Sequence, residues 1–130
     1  MRTRPRVIIV DDDEDTREMY ACSMQAAGWL VEAVADGEEV LFVAPSFAPD
    51  VIVMDLRLPG IGGLEATRRL KTNARTSHIP IVACSGLDRF QVETPARRAG
   101  CEEFVAKPCL PERLRAVLER VLSRRSGSPR

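Results

Sequence analysis

VIIVDDDED, residues 7–15, sets four β-branched apolar residues directly before five consecutive acids. An apolar run without polar alternation suits a strand buried on both faces, as in a parallel sheet. Five successive carboxylates repel one another, and each resists burial unless it is paired or meets a cation. The stretch therefore predicts a central strand that carries acids to a place where positive charge is needed. Two further near-continuous apolar runs, at 51–54 (VIVM) and 79–84 (IPIVAC), read as strands of the same buried kind. Weaker strands fit 30–35 and 103–106, the latter with Phe104 and Val105 as its large apolar residues.

Helical patterns fill the gaps. Residues 14–27 open in acids, which favour a helix N-terminus, and stop at Gly28. A second helix is expected over 37–43, ending before Pro45, and a third over 64–73 with Leu64, Thr67 and Leu70 at helical spacing. The last, 111–124, has Pro111 in its first turn and one apolar stripe of Leu114, Val117, Leu118, Val121 and Leu122. Pro95 would break a helix interior, so the helix before Gly100 is expected to start near Pro95 with Thr94 as its cap. That leaves 85–93 as a long connection. Strict β-α alternation with short loops predicts an open, doubly wound α/β sheet.

Length and composition agree with this. At 130 residues the chain can bury one core, and 45% hydrophobic with 29% charged residues suits a globular protein. No apolar run approaches membrane-spanning or signal-peptide length, which points to a cytoplasmic protein. Four cysteines form no CxxC pair and there is one histidine, so a structural zinc site is not expected. Cys22 and Cys84 are read as small core residues, His78 as an exposed loop residue and Trp29 as local packing. Residues 1–65 hold 5 Lys/Arg against 13 Asp/Glu, whereas residues 66–130 hold 14 against 6. A neutral total thus hides an acidic half and a basic half.

In open α/β sheets ligands bind at the carboxyl ends of the strands, near the point where strand order reverses. The residues at those ends are Asp11, Asp12 and Asp13, then Asp55, Ser85 and Lys107. Several acids around one point make a site for a hard cation, and Mg²⁺ takes carboxylate, water and phosphate oxygens. A lysine can hold phosphate oxygens, a serine hydroxyl can donate to another, and a carboxylate can form an aspartyl phosphate. The chemistry inferred is phosphorylation of Asp55. Asp13, Glu14 and Asp15 are better explained as a helix start. A calcium loop fails because Thr16 and Cys22 stand where it needs Gly and Glu. The D-x-D-x-T/V pattern of haloacid-dehalogenase-like phosphatases is absent.

VIIVDDDED, VIVMDLRLPGIGGLE, IPIVACSG and AGCEEFVAKP together resemble the four signatures of the response-regulator receiver domain, over about residues 5–123. The resemblance implies a flavodoxin-like (βα)5 fold, with a five-stranded parallel sheet in the order 2-1-3-4-5 and helices on both faces. It implies a receiver domain over 1–124, a disordered tail over 125–130 and no effector domain. It makes Asp55 the phosphoacceptor, with Asp11, Asp12, Asp55 and the backbone carbonyl of Arg57 around Mg²⁺. Lys107 and Ser85 would hold the phosphoryl group, Ser85 and Phe104 would form the conformational switch, and Pro108 would occupy a position that is commonly cis. The donor would be a histidine kinase or histidine phosphotransfer protein, and a downstream protein partner would read the result. Self-phosphorylation and slow hydrolysis would be the only catalysis.

This chain departs from the family pattern in places. Ser85 replaces the commoner Thr, Phe104 the frequent Tyr, and Gly62 a frequent Asp. By the same resemblance, Arg57 and Leu87 occupy variable positions beside the site that tune phosphoryl lifetime in that family. Arg97, Arg98, Arg113, Arg115, Arg120 and Arg124 lie on the last two helices, beside the family's usual partner surface. They are read as a solvated face for an acidic protein partner, and direct DNA binding is not expected. A second reading is a phosphorylation-independent interaction module, for which Pro95 and an interrupted signalling helix would leave room.

Overall fold

The computed structural model describes residues 4–126. The five strands β1 (Arg6–Val10), β2 (Leu30–Val34), β3 (Val51–Met54), β4 (Ile81–Ser85) and β5 (Glu103–Ala106) form one sheet. All neighbouring pairs are parallel, in the order β2-β1-β3-β4-β5. Five helices alternate with them: α1 (Glu14–Ala26), α2 (Gly37–Phe47), α3 (Gly62–Thr72), α4 (Arg89–Ala99) and α5 (Pro111–Ser126). This is the expected flavodoxin-like doubly wound fold.

The strand period of two sorts the core into two layers. Ile8, Val10, Ile52, Met54, Ile81 and Ala83 pack with Val40 and Ala44 of α2, Ala66 and Leu70 of α3, and Ala96 of α4. Val7, Ile9, Val51, Val53, Val82 and Cys84 pack with Tyr20 and Met24 of α1 and Leu114, Leu118 and Val121 of α5. The strands are apolar throughout because each side of the sheet meets a helix layer. Trp29 is buried in the second layer, as local packing predicts. His78 is an exposed loop residue, also as expected.

Several boundaries differ from expectation, and proline accounts for most. β4 begins at Ile81, after Pro80, which has no N–H for the ladder, although its carbonyl accepts from Ile52 N–H at 3.0 Å. α2 runs through Pro45 to Phe47, because Val40 and Ala44 bury and the Ala48 N–H closes onto the Ala44 carbonyl. α3 starts at Gly62 and ends at Thr72. The largest correction is α4, which starts at Arg89 and not near Thr94. Asp88, the actual cap, accepts from the Phe90 N–H, so there is no long connection over 85–93. Pro95 is carried inside an unbroken helix. Glu93 brackets it, taking Arg89 at 2.9 Å and Arg97 at 3.0 Å, while Ala96 and Ala99 anchor the helix on the sheet. Cys22 is exposed on α1, not core, whereas Cys84 is buried as predicted.

α5 extends past 124 into the segment expected to be a tail. Arg125 donates to the His78 carbonyl at 2.9 Å and pairs with Glu102, which ties the helix end to the loops before β4 and β5. The remainder of that segment, 127–130, lies outside the described residues, as do residues 1–3. Among the described residues no helix is long and apolar enough to cross a membrane.

A proline inside a helix removes one backbone hydrogen bond and crowds the preceding turn. Pro95→Ala should therefore stabilise the chain by about 1–3 kcal/mol, read by urea unfolding, with stronger hydrogen-exchange protection in α4.

Candidate phosphoacceptor and metal site

The chain order of the sheet brings three loops to one place. β1 lies between β2 and β3, so Asp11 and Asp12 leave the sheet beside Asp55, which follows β3. The Asp55 N–H donates to the Val10 carbonyl at 3.0 Å and the Asp11 N–H to the Val34 carbonyl at 3.1 Å, which continues the ladder into the site. Carboxylate oxygens of Asp11, Asp12 and Asp55 lie within 4.8 Å of one another. Asp11 and Asp55 are buried, while Asp12 is exposed.

Lys107 arrives from the end of β5. Its ammonium donates to Asp11 Oδ2 at 2.6 Å and to Asp55 Oδ2 at 3.0 Å. The second oxygens of both carboxylates accept backbone bonds: Asp13 N–H to Asp11 Oδ1 at 2.9 Å, and Arg57 N–H to Asp55 Oδ1 at 3.0 Å. Three negative charges thus face one positive charge. Burial pushes the Asp55 carboxyl above its ordinary range, and the Arg57 N–H and Lys107 offset only part of this. For Lys107, burial disfavours the charge, but its bonds to Asp11 and Asp55 prevail and hold its pKa above the usual lysine value. One shared lysine cannot neutralise the set. An all-oxygen donor set with surplus negative charge fits a hard divalent cation such as Mg²⁺.

Asp13 caps α1, accepting from the Thr16 N–H at 2.9 Å, so it belongs to the helix start as the sequence suggests. Ser85 is fully buried at the end of β4, where its hydroxyl oxygen accepts from the Leu87 N–H at 3.2 Å. The Lys107 N–H donates to the Ser85 carbonyl at 2.9 Å, which binds these two strand ends together. Phe104 is buried beside Ala83 on β4, with the Arg89 guanidinium over its ring at 5.5 Å. Arg57 has an exposed side chain and enters the site through its backbone. The Lys107–Pro108 peptide is cis.

Two contributors were not legible in the sequence. Arg17 Nη1 donates to the Asp11 carbonyl at 2.7 Å and steadies the loop after β1. Gly63 lets α3 press against the segment after β3: a Cβ there would sit 2.2 Å from the Asp55 carbonyl oxygen and 2.7 Å from Leu56 Cα. Neighbouring Gly62 has φ of +79°, a conformation that suits glycine. The GG pair in PGIGG was the available signal, but a close backbone approach has no signature of its own.

Comparison with known proteins places this geometry. The family model described as response regulator receiver domain matches residues 7–119. A polar-differentiation response regulator, DivK of Brucella anthropi, is 34% identical over 102 residues, 78% of this chain and 83% of that protein. The chemotaxis response regulator CheY4 of Vibrio cholerae superposes with a TM-score of 0.86 at 30% identity, covering 92% of this chain and 99% of that one. The receiver domain of the sensor histidine kinase PA1611 of Pseudomonas aeruginosa has a TM-score of 0.81 at 28% identity, covering 97% and 100%; its structure holds a magnesium ion in the active-site cleft. The chain spans only 52% of another curated relative, a DNA-binding transcriptional regulator.

Two outcomes test this geometry. Gly63→Ala should destabilise the chain by about 1–3 kcal/mol in urea unfolding, because the added methyl meets backbone and not a movable side chain. Asp55 binds its proton more tightly folded than unfolded, so its ionised form costs stability at neutral pH, a cost that vanishes as pH falls through the folded-state pKa. Asp55→Asn should raise the thermal unfolding midpoint by a few degrees at neutral pH without divalent cations. Its advantage should shrink to nothing by about pH 3, below the ordinary carboxylate pKa.

Proposed function

The chain belongs to the response regulator receiver domain family, and on that premise we propose that Asp55 accepts a phosphoryl group from a phosphohistidine donor. The observation that carries this reading is the convergence of Asp11, Asp12 and Asp55 within 4.8 Å, with Lys107 bonded to Asp11 and Asp55. In the transfer, an Asp55 carboxylate oxygen attacks phosphorus. The P–N bond to the donor imidazole breaks as the O–P bond of the aspartyl phosphate forms, and the imidazole keeps the electron pair.

Asp11, Asp12, Asp55 and the Arg57 carbonyl would hold Mg²⁺, which when bound supplies charge neutralisation at the phosphoryl oxygens. Lys107 exchanges its carboxylate partner for a phosphoryl oxygen, and its raised pKa keeps it cationic while it does so. The Arg57 N–H holds Asp55 Oδ1 and so presents Oδ2 for attack. Ser85 turns its hydroxyl from the Leu87 N–H to the phosphoryl group, and Phe104 moves into the space released. The altered α4-β5-α5 surface is then read by a downstream protein partner. The donor is a histidine kinase or a histidine phosphotransfer protein, and self-phosphorylation with slow hydrolysis is the only catalysis. The site works in the cytoplasm, where such donors expose their phosphohistidines.

Pro95 was the opening for a phosphorylation-independent module, and α4 runs unbroken through it. No feature of the described residues favours that second reading.

Acetyl phosphate with Mg²⁺ should add one phosphoryl group to the wild type, seen by mass spectrometry, and none to Asp55→Asn. Omitting Mg²⁺ should abolish the adduct. Ser85→Ala should still be phosphorylated while losing the backbone NMR shifts around Phe104. An adduct of equal yield on Asp55→Asn would overturn the assignment.

A further inference from the structure

Lys107 reaches two carboxylates only if the connection between β5 and α5 is held in place. At its start, the Lys107 N–H donates to the Ser85 carbonyl at 2.9 Å. Pro108 has no N–H and so offers no donor. One residue further, the Cys109 carbonyl accepts the Tyr20 hydroxyl at 2.9 Å, a buried bond between residues 89 apart in sequence. Tyr20 is 2% exposed and sits on α1, the helix that begins directly after Asp11 and Asp12. The Cys84 thiol, next to Ser85 in the chain, adjoins the same hydroxyl. A single phenol therefore links α1, the helix that follows the loop after β1, to the loop after β5.

We propose that Tyr20 is a positioning residue for Lys107: its hydroxyl fixes the Cys109 carbonyl and thereby the angle at which the ammonium meets Asp11 and Asp55. Core packing alone would call for an apolar ring at this place, and the hydroxyl is what packing does not require. Without it, the buried carbonyl lacks this donor and the connection gains a reason to reorganise. The proposal rests on the phosphoacceptor reading for its consequence, and on the hydrogen-bond geometry alone for its premise.

The test uses the whole chain. There are two lysines, Lys71 and Lys107, and one tyrosine, so lysine-labelled protein gives two side-chain nitrogen signals in NMR. Lys71 donates to the Ser77 and Ile79 carbonyls, just before β4 begins and so at the other end of the strands from the site, and serves as the internal reference. In Tyr20→Phe the Lys107 signal should shift and broaden while Lys71 stays in place. Phosphorylation of Tyr20→Phe by acetyl phosphate should slow by about threefold to tenfold, the factor that the net worth of one hydrogen bond supplies.

An unmoved Lys107 signal, or equal movement of both lysines, overturns the proposal. Should Tyr20→Phe fail to fold, 3-fluorotyrosine at the single tyrosine alters the same donor with the bond retained. A shift confined to Lys107 is then expected, and its absence overturns the proposal equally. Failure of the wild type to take up a phosphoryl group would instead overturn the phosphoacceptor reading, and the lysine spectra would still decide the role of Tyr20.

Discussion

The ammonium of Lys107 spans Asp11 and Asp55, residues 96 and 52 positions away in the chain, and the site depends on that bridge. Each carboxylate is largely removed from water, and each would repel the other without a cation between them. The bridge is incomplete by design of the residue count, since Asp12 adds a third charge. Burial still dominates at Asp55 even with its lysine partner. The three acids therefore outweigh their single lysine, which is the physical basis for reading them as a receptor for a divalent cation and a phosphoryl group.

The sheet makes this possible. Only a parallel sheet releases every strand end on the same edge, and the order β2-β1-β3-β4-β5 puts the ends of β1 and β3 side by side at its centre. Two core layers hold the strands rigidly, and the loops beyond them carry the chemistry. Backbone donors at Asp13 and Arg57 and the tight approach of Gly63 then fix the carboxylates. Stability is given up at this edge and recovered in the layers behind it.

Much of this was readable from the chain alone, for identifiable reasons. Continuous apolar runs mark β1, β3 and β4 because both faces are covered, and the acids that follow β1 and β3 are ones the fold brings together. The strand order came from the family resemblance and not from periodicity, since nothing local encodes it. Proline misplaces helix boundaries when it is read as a break: Pro45, expected to stop α2, and Pro95, expected to start α4, are both carried inside helices whose buried faces and caps outweigh the lost bond. Asp88 was the missed cap, because Thr94 offered a competing one nearer the proline. Gly63 and Tyr20 were invisible for a different reason: a close approach and a long-range hydrogen bond exist only once the chain is folded.

As proposed, the three acids and Lys107 form one cation and phosphoryl site. A crystal structure grown with Mg²⁺ and beryllofluoride tests it most directly. The metal is expected on Asp11, Asp12 and Asp55, and beryllofluoride on Asp55 within reach of Lys107 and the Ser85 hydroxyl. A bare Asp55 under saturating conditions, or a metal bound away from these acids, would contradict it.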